Sequence, residues 1–130
     1  MADVDFWERR FVEAYVERST RDRYLGMLKG PKHRRKLLDR LNHNPGFDFS
    51  KARDLGSVDA DGLVALLGRL RVERTGFLMA DGSELDGREL RVELAVQELM
   101  RTPWGAVLIC PPKPVAVYRE ESPGTFYLFS

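Results

Sequence analysis

Asp39 and His43 stand four residues apart in the stretch KGPKHRRKLLDRLNH, residues 29–43. On a continuous helix that spacing puts both side chains on one face, where a carboxylate can orient an imidazole for proton transfer. The same spacing also serves as a plain surface contact or a helix-end feature. His33 and His43, the chain's two histidines, fall about 80 degrees apart in projection and nearly three turns apart along a helix, too far to chelate one metal ion. A second cluster lies in DGSELDGRE, residues 81–89, with Asp81, Glu84, Asp86 and Glu89. Hard cations such as Mg²⁺ or Ca²⁺ take oxygen ligands of this kind. Leu85, however, occupies a position that a helix-loop-helix calcium site fills with oxygen. Two Asp-Gly pairs make turn formation the simpler role.

The strongest chemical feature of residues 29–43 is charge. Six Lys or Arg side chains accompany three leucines and one aspartate. Projected on a helix, Leu37, Leu38 and Leu41 share one side, and Lys32, His33, Lys36, Arg40 and His43 gather opposite, with Asp39 among them. Lys29, Lys32, Arg35, Lys36 and Arg40 are the candidate binding residues. Mobile cations along a surface make phosphate or carboxylate contacts that supply affinity without reading sequence. The helix start around Pro31 adds unpaired backbone N–H groups suited to an anion. A solvated helix face has the same composition, so the charge alone does not define a partner. Arg34 breaks the segregation. It projects onto the apolar side one turn before Leu38, where it must snorkel, meet an acid or mark a frayed start.

Other chemistries lack their motifs. The chain has no Gly-x-Ser-x-Gly, no phosphate-binding glycine loop, no dinucleotide fingerprint, no zinc-finger spacing and no glycine-aromatic pattern of an RNA-recognition sheet. Cys110 closes an apolar run before Pro111-Pro112 and reads as a structural thiol. No catalytic residue, metal or cofactor is assigned from the sequence. As a single cysteine it has no internal disulfide partner, which suits a reducing compartment.

The elements that must position these residues follow from periodicity. Trp7, Phe11, Ala14 and Tyr15 set a helix over residues 5–18, with a pause at Ser19 and a restart or bend before Tyr24, Leu25 and Leu28. Gly30-Pro31 breaks the chain, and a basic helix follows from Pro31 to Asn42, stopped by HNPG. Residues 47–57 read as a loop with a short turn. Leu63, Leu66, Leu67 and Leu70 predict a helix from Asp59, its cap, to Leu70. Residues 71–80 read as a strand ending at Asp81-Gly82, and Leu90, Leu94, Ala95 and Leu99 predict a helix over residues 89–101. Extended segments follow at residues 105–110, 115–119 and 125–129, separated by the turn-rich PPKP and EESPG.

The expected fold is therefore α+β: N-terminal helices, then a small, largely antiparallel sheet of three or four strands with one intervening helix, covered by helices on one face. At 130 residues, 43% hydrophobic and 32% charged, the chain has the size and composition of a single folded domain. Residues 1–45 form its helical, relatively basic portion and residues 71–130 its sheet-forming portion. Residues 1–40 hold eleven Lys or Arg against seven Asp or Glu, and residues 41–130 hold ten against thirteen. Electrostatic attraction is therefore local, not a property of the whole chain, whose net charge is +1. No apolar run approaches the roughly 20 residues needed to span a bilayer, and the first residues carry no secretory pattern. A cytoplasmic protein without a membrane partner is expected. On the last strand Tyr127 and Phe129 face one way and Phe126 and Leu128 the other, so one apolar face is free to serve as a dimer seam and a homo-oligomer is among the expectations.

The sequence thus points to a small interaction or adaptor protein that binds an anionic or protein partner through a basic helix. Non-sequence-specific nucleic-acid binding is the alternative, and a small enzyme using the Asp-His pair or the carboxylate loop is the third reading.

Overall fold

The computed structural model describes residues 4–43, 45–121 and 124–130. Parts of the expected turns HNPG and EESPG, at residues 44 and 122–123, lie outside the described residues, as do residues 1–3. The protein is α+β, with five α-helices around a six-stranded antiparallel sheet among the described residues. Helices α1 (Val4–Tyr15), α2 (Arg18–Met27) and α3 (Pro31–Arg40) come first, followed by strand β1 (Ala52–Gly56) and helix α4 (Ala60–Arg69). Strands β2 (Thr75–Ala80) and β3 (Glu89–Arg91) precede α5 (Val92–Arg101), and β4 (Ala106–Cys110), β5 (Val115–Arg119) and β6 (Phe126–Phe129) complete the chain. The spatial order is β1-β6-β5-β4-β2-β3.

Local chemistry accounts for most boundaries. Pro31 opens α3 at its first position, where the missing N–H costs nothing. Asp59 caps α4, its side chain accepting from the Gly62 N–H at 2.7 Å. Gly82, at φ +71°, makes the turn after β2. The pause near Ser19 is a restart: α1 ends at Tyr15, the Asp48 N–H donates to the Tyr15 carbonyl at 2.7 Å, and α2 begins at Arg18.

Six strands replace the expected three or four. Residues 52–56, read as a loop, form β1, an edge strand paired only with β6. Its sequence ARDLG carries charge where an apolar alternation would reveal a strand, and charged edges resist pairing with other chains. Residues 89–91 belong to β3 rather than to the following helix. Leu90 is buried as a strand residue opposite Gly76, while α5 buries Val92, Ala95, Val96 and Leu99 and turns Leu94 outward. The strand expected at residues 71–80 begins later, at Thr75, because Arg71 takes the left-handed conformation (φ 59°) that ends α4.

Helices cover both faces of the sheet, correcting the one-sided expectation. Phe77, Met79, Val107, Ile109, Tyr118 and Phe129 pack beneath α1, α2 and α3. The alternate residues Leu78, Ala80, Leu108, Cys110, Val117 and Leu128 pack against α4 and α5. Phe129 is fully buried and Tyr127 half-buried. Both faces of β6 are therefore used internally, and the dimer seam expected on Tyr127 and Phe129 is not an open surface.

Candidate functional site

Arg34, the residue that broke the helical charge pattern, organises the region around α3. Its Nη1 and Nη2 donate to the two carboxylate oxygens of Glu8 on α1 at 2.6 and 2.7 Å. Its Nε and Nη2 also donate to both oxygens of Asp86 at 2.9 Å. Asp86 in turn accepts the Ala80 N–H at 2.9 Å. One guanidinium thus ties α1, α3 and the loop after β2 together by bidentate contacts. Burial by itself disfavours the Arg34 charge, but hydrogen bonds and charge from Asp86 and Glu8 outweigh it and raise the Arg34 pKa. Burial pushes the Glu8 carboxyl up, opposed by Arg34.

With Arg34 turned inward, its neighbours face out. Lys32, Arg35, Lys36 and Arg40 line an open groove of about 800 Å³ between α2 and α3, together with Arg23 and Met27 of α2 and the acids Asp39 and Asp81. Four of the five candidate binding residues therefore share one concavity. Lys29 is exposed before Gly30 and does not line it. The sequence reading missed Arg23. Its signal was the four-residue spacing from Met27, which puts the pair on one face of α2. Arg40 is the most constrained of the cations. Its guanidinium lies 5.9 Å from the Tyr24 ring centroid, and its Nε is buried without a hydrogen-bond partner among the described residues. The Tyr24 hydroxyl donates to the Pro45 carbonyl, and burial, partly offset by Arg40, pushes its pKa up to about 12.

The other sequence candidates disperse. After Arg40 the helix tightens: the Leu41, Asn42 and His43 N–H groups bond three residues back, at 3.1, 3.1 and 3.2 Å. The face shared by Asp39 and His43 on a regular helix is lost there. Asp39 lines the groove, whereas His43 is exposed with Nδ1 4.0 Å from Glu121. The carboxylate loop also diverges. Asp81 faces the groove, Glu84 is exposed, Asp86 turns to Arg34, and Glu89 accepts from the Thr75 hydroxyl at 2.6 Å. Among the described residues no group of three or more His, Cys, Asp or Glu side chains is gathered as a metal site requires. Cys110 is fully buried, and burial pushes its thiol up to about 12, a poor setting for a nucleophile. The site therefore concentrates positive charge over an apolar floor; it does not assemble a base beside a nucleophile.

No family model matches the chain, and no curated protein or solved structure matches it. Among the described residues, no helix is long and apolar enough to cross a membrane.

Proposed function

We propose that this protein is a small cytoplasmic interaction protein whose α2–α3 groove engages an anionic macromolecular partner. One observation carries the reading: Arg23, Lys32, Arg35, Lys36 and Arg40 converge on a single concavity with only Asp39 and Asp81 to oppose them. Scattered surface cations are each well solvated, but cations lining a common low-dielectric wall add their fields and attract a polyanion. The lysine and arginine stems and Met27 give the groove an apolar floor, which keeps a bound chain from being held by charge alone.

The test is fluorescence anisotropy of labelled polyglutamate and labelled oligonucleotides, with wild type and with the Lys32→Glu/Lys36→Glu variant, across a salt series. Binding by the wild type that weakens with salt and is lost in the folded variant supports the reading. Failure of every polyanion to bind at low salt overturns it.

A further inference from the structure

Beside the α2–α3 groove lies a second depression of about 400 Å³, the two sharing Arg35 and Asp81 as walls. That depression shares Gly82 and Ser83 with a third of about 260 Å³, which Arg101 and Trp104 line. The three adjoin through these shared wall residues, in the order from the cations of α2 and α3, past the loop after β2, to an indole ring. We propose that this row of depressions binds single-stranded nucleic acid, with the cations of α2 and α3 on the backbone and Trp104 as the platform for an unpaired base. The proposal rests on the anion-binding reading above and names its partner.

Trp104 is 47% exposed, as are Phe6 and, nearly so, Leu94. A lone exposed aromatic residue carries little meaning; this one lines a depression in the row that begins at the cation-lined groove, with Arg101 beside it. The backbone that carries it is held from two sides. Its backbone N–H donates to the Thr102 hydroxyl at 3.3 Å. The next residue, Gly105, donates its N–H to Asn42 Oδ1 at 2.5 Å, just beyond α3. The platform is thereby tied to the helix that presents the cations. The ring lies beside Gly82, where a Cβ would come within 3.6 Å of it. Next to it, Arg101 keeps 76% of its side chain exposed while pairing with Glu98 at 2.7 Å.

Two of the carboxylates lining these depressions are engaged internally, Asp86 by Arg34, which it shares with Glu8, and Glu98 by Arg101. The remaining acids, Asp39 and Asp81, are outnumbered by the cations of α2 and α3. A cation-lined groove with an exposed ring in reach along the same surface is the combination used for single strands, because every base has a face to stack and the backbone supplies the charge. Duplex bases are already stacked on one another and cannot use the indole. An acidic peptide would use the cations and has no need of Trp104.

The experiment titrates the full chain with labelled oligothymidylate, the same length of duplex DNA and polyglutamate, using wild type, Trp104→Ala, Trp104→Phe and Lys32→Glu/Lys36→Glu. Circular dichroism checks that each variant is folded. Oligothymidylate is expected to bind tightest and to quench indole fluorescence saturably. Trp104→Ala should weaken it by about tenfold or more, the scale of one stacked base, with Trp104→Phe restoring part of the loss and polyglutamate unaffected. The double charge reversal should flatten the salt slope, by about 0.7 for each phosphate contact removed. Equal oligothymidylate binding by wild type and Trp104→Ala, or tighter binding of polyglutamate or duplex, would overturn the single-strand proposal and leave the anion reading standing. No binding of any polyanion overturns both.

Discussion

Arg34 and Glu8, twenty-six residues apart, meet through two parallel contacts of 2.6 and 2.7 Å, and Glu8 keeps only 3% of its side chain exposed. This pair fixes α3 against α1, so the outward face of α3 inherits its direction from an interaction on the inward one. Removing one partner strands the other as an uncompensated buried charge. Arg34→Met should destabilise the fold by about 3–5 kcal/mol, measured by urea unfolding. Arg34→Lys should recover little, since a point charge cannot serve two carboxylates in fork geometry. The double variant Glu8→Leu/Arg34→Met should regain part of the loss, the remainder belonging to Asp86, which still lacks its guanidinium.

The acid limb of stability should depend on Glu98. The Ser83 hydroxyl donates to it at 2.6 Å, which together with Arg101 holds its carboxyl below the ordinary 4.5 despite its burial. A folded pKa below the unfolded one gives stability that is present above 4.5 and is lost as the pH falls through the folded value. Glu98→Gln should therefore melt lower than wild type at neutral pH, and the two melting temperatures should converge in acid. A gap that stays constant from neutral pH into acid would contradict this origin.

Cys110 should be silent to thiol reagents in the native state. It is fully buried, and its thiol is pushed up to about 12. An aromatic disulfide reagent at mildly alkaline pH should react about 10³-fold or more slowly with the native protein than with the urea-unfolded chain, because reaction must await global opening. Rapid native labelling would mean that the sheet face beneath α4 and α5 opens locally.

Within the groove, position should matter more than charge. Lys36→Glu should weaken polyanion binding several-fold more than Lys29→Glu, although both change the net charge equally, because Lys29 lies outside the lining. Asp81→Asn, which removes a carboxylate that lines both the groove and the depression beside it, should tighten binding and leave stability within about 0.5 kcal/mol of wild type. Anisotropy titrations at one salt concentration suffice for both comparisons.

Much of this architecture is legible in the residues where local chemistry decides. Gly30-Pro31, the Asp59 cap and the leucines of α4 mark their helices at close to the observed boundaries. Where tertiary pairing decides, local signals fail. β1 exists because β6 pairs with it, and ARDLG alone carries no alternation. β3 is hidden because Leu90 falls in helical phase with Leu94, although the first is buried in the sheet and the second is exposed. The near-continuous apolar runs GFLMA, AVLIC, VAVY and FYLF are the signal for a sheet buried on both faces, and they displace the partner surface read from Tyr127 and Phe129. The basic groove is half legible. Spacing along α3 collects Lys32, Lys36 and Arg40, but Arg23 joins them only through the packing of α2 against α3.

The strand order carries a consequence for the timing of folding. Ala52 pairs with Phe129 and Arg53 with Leu128, so β1 leaves the ribosome long before the strand that gives it a place. Until β6 arrives, the helices that cover that side have no finished surface to close over, and Phe129, which contacts the Phe11, Tyr15 and Phe47 rings, is missing from their midst. The early helices can condense locally in microseconds, but the sheet must wait for its most sequence-distant contact. During synthesis the apolar faces of the early helices and the edge of β1 therefore stay uncovered until β6 is made.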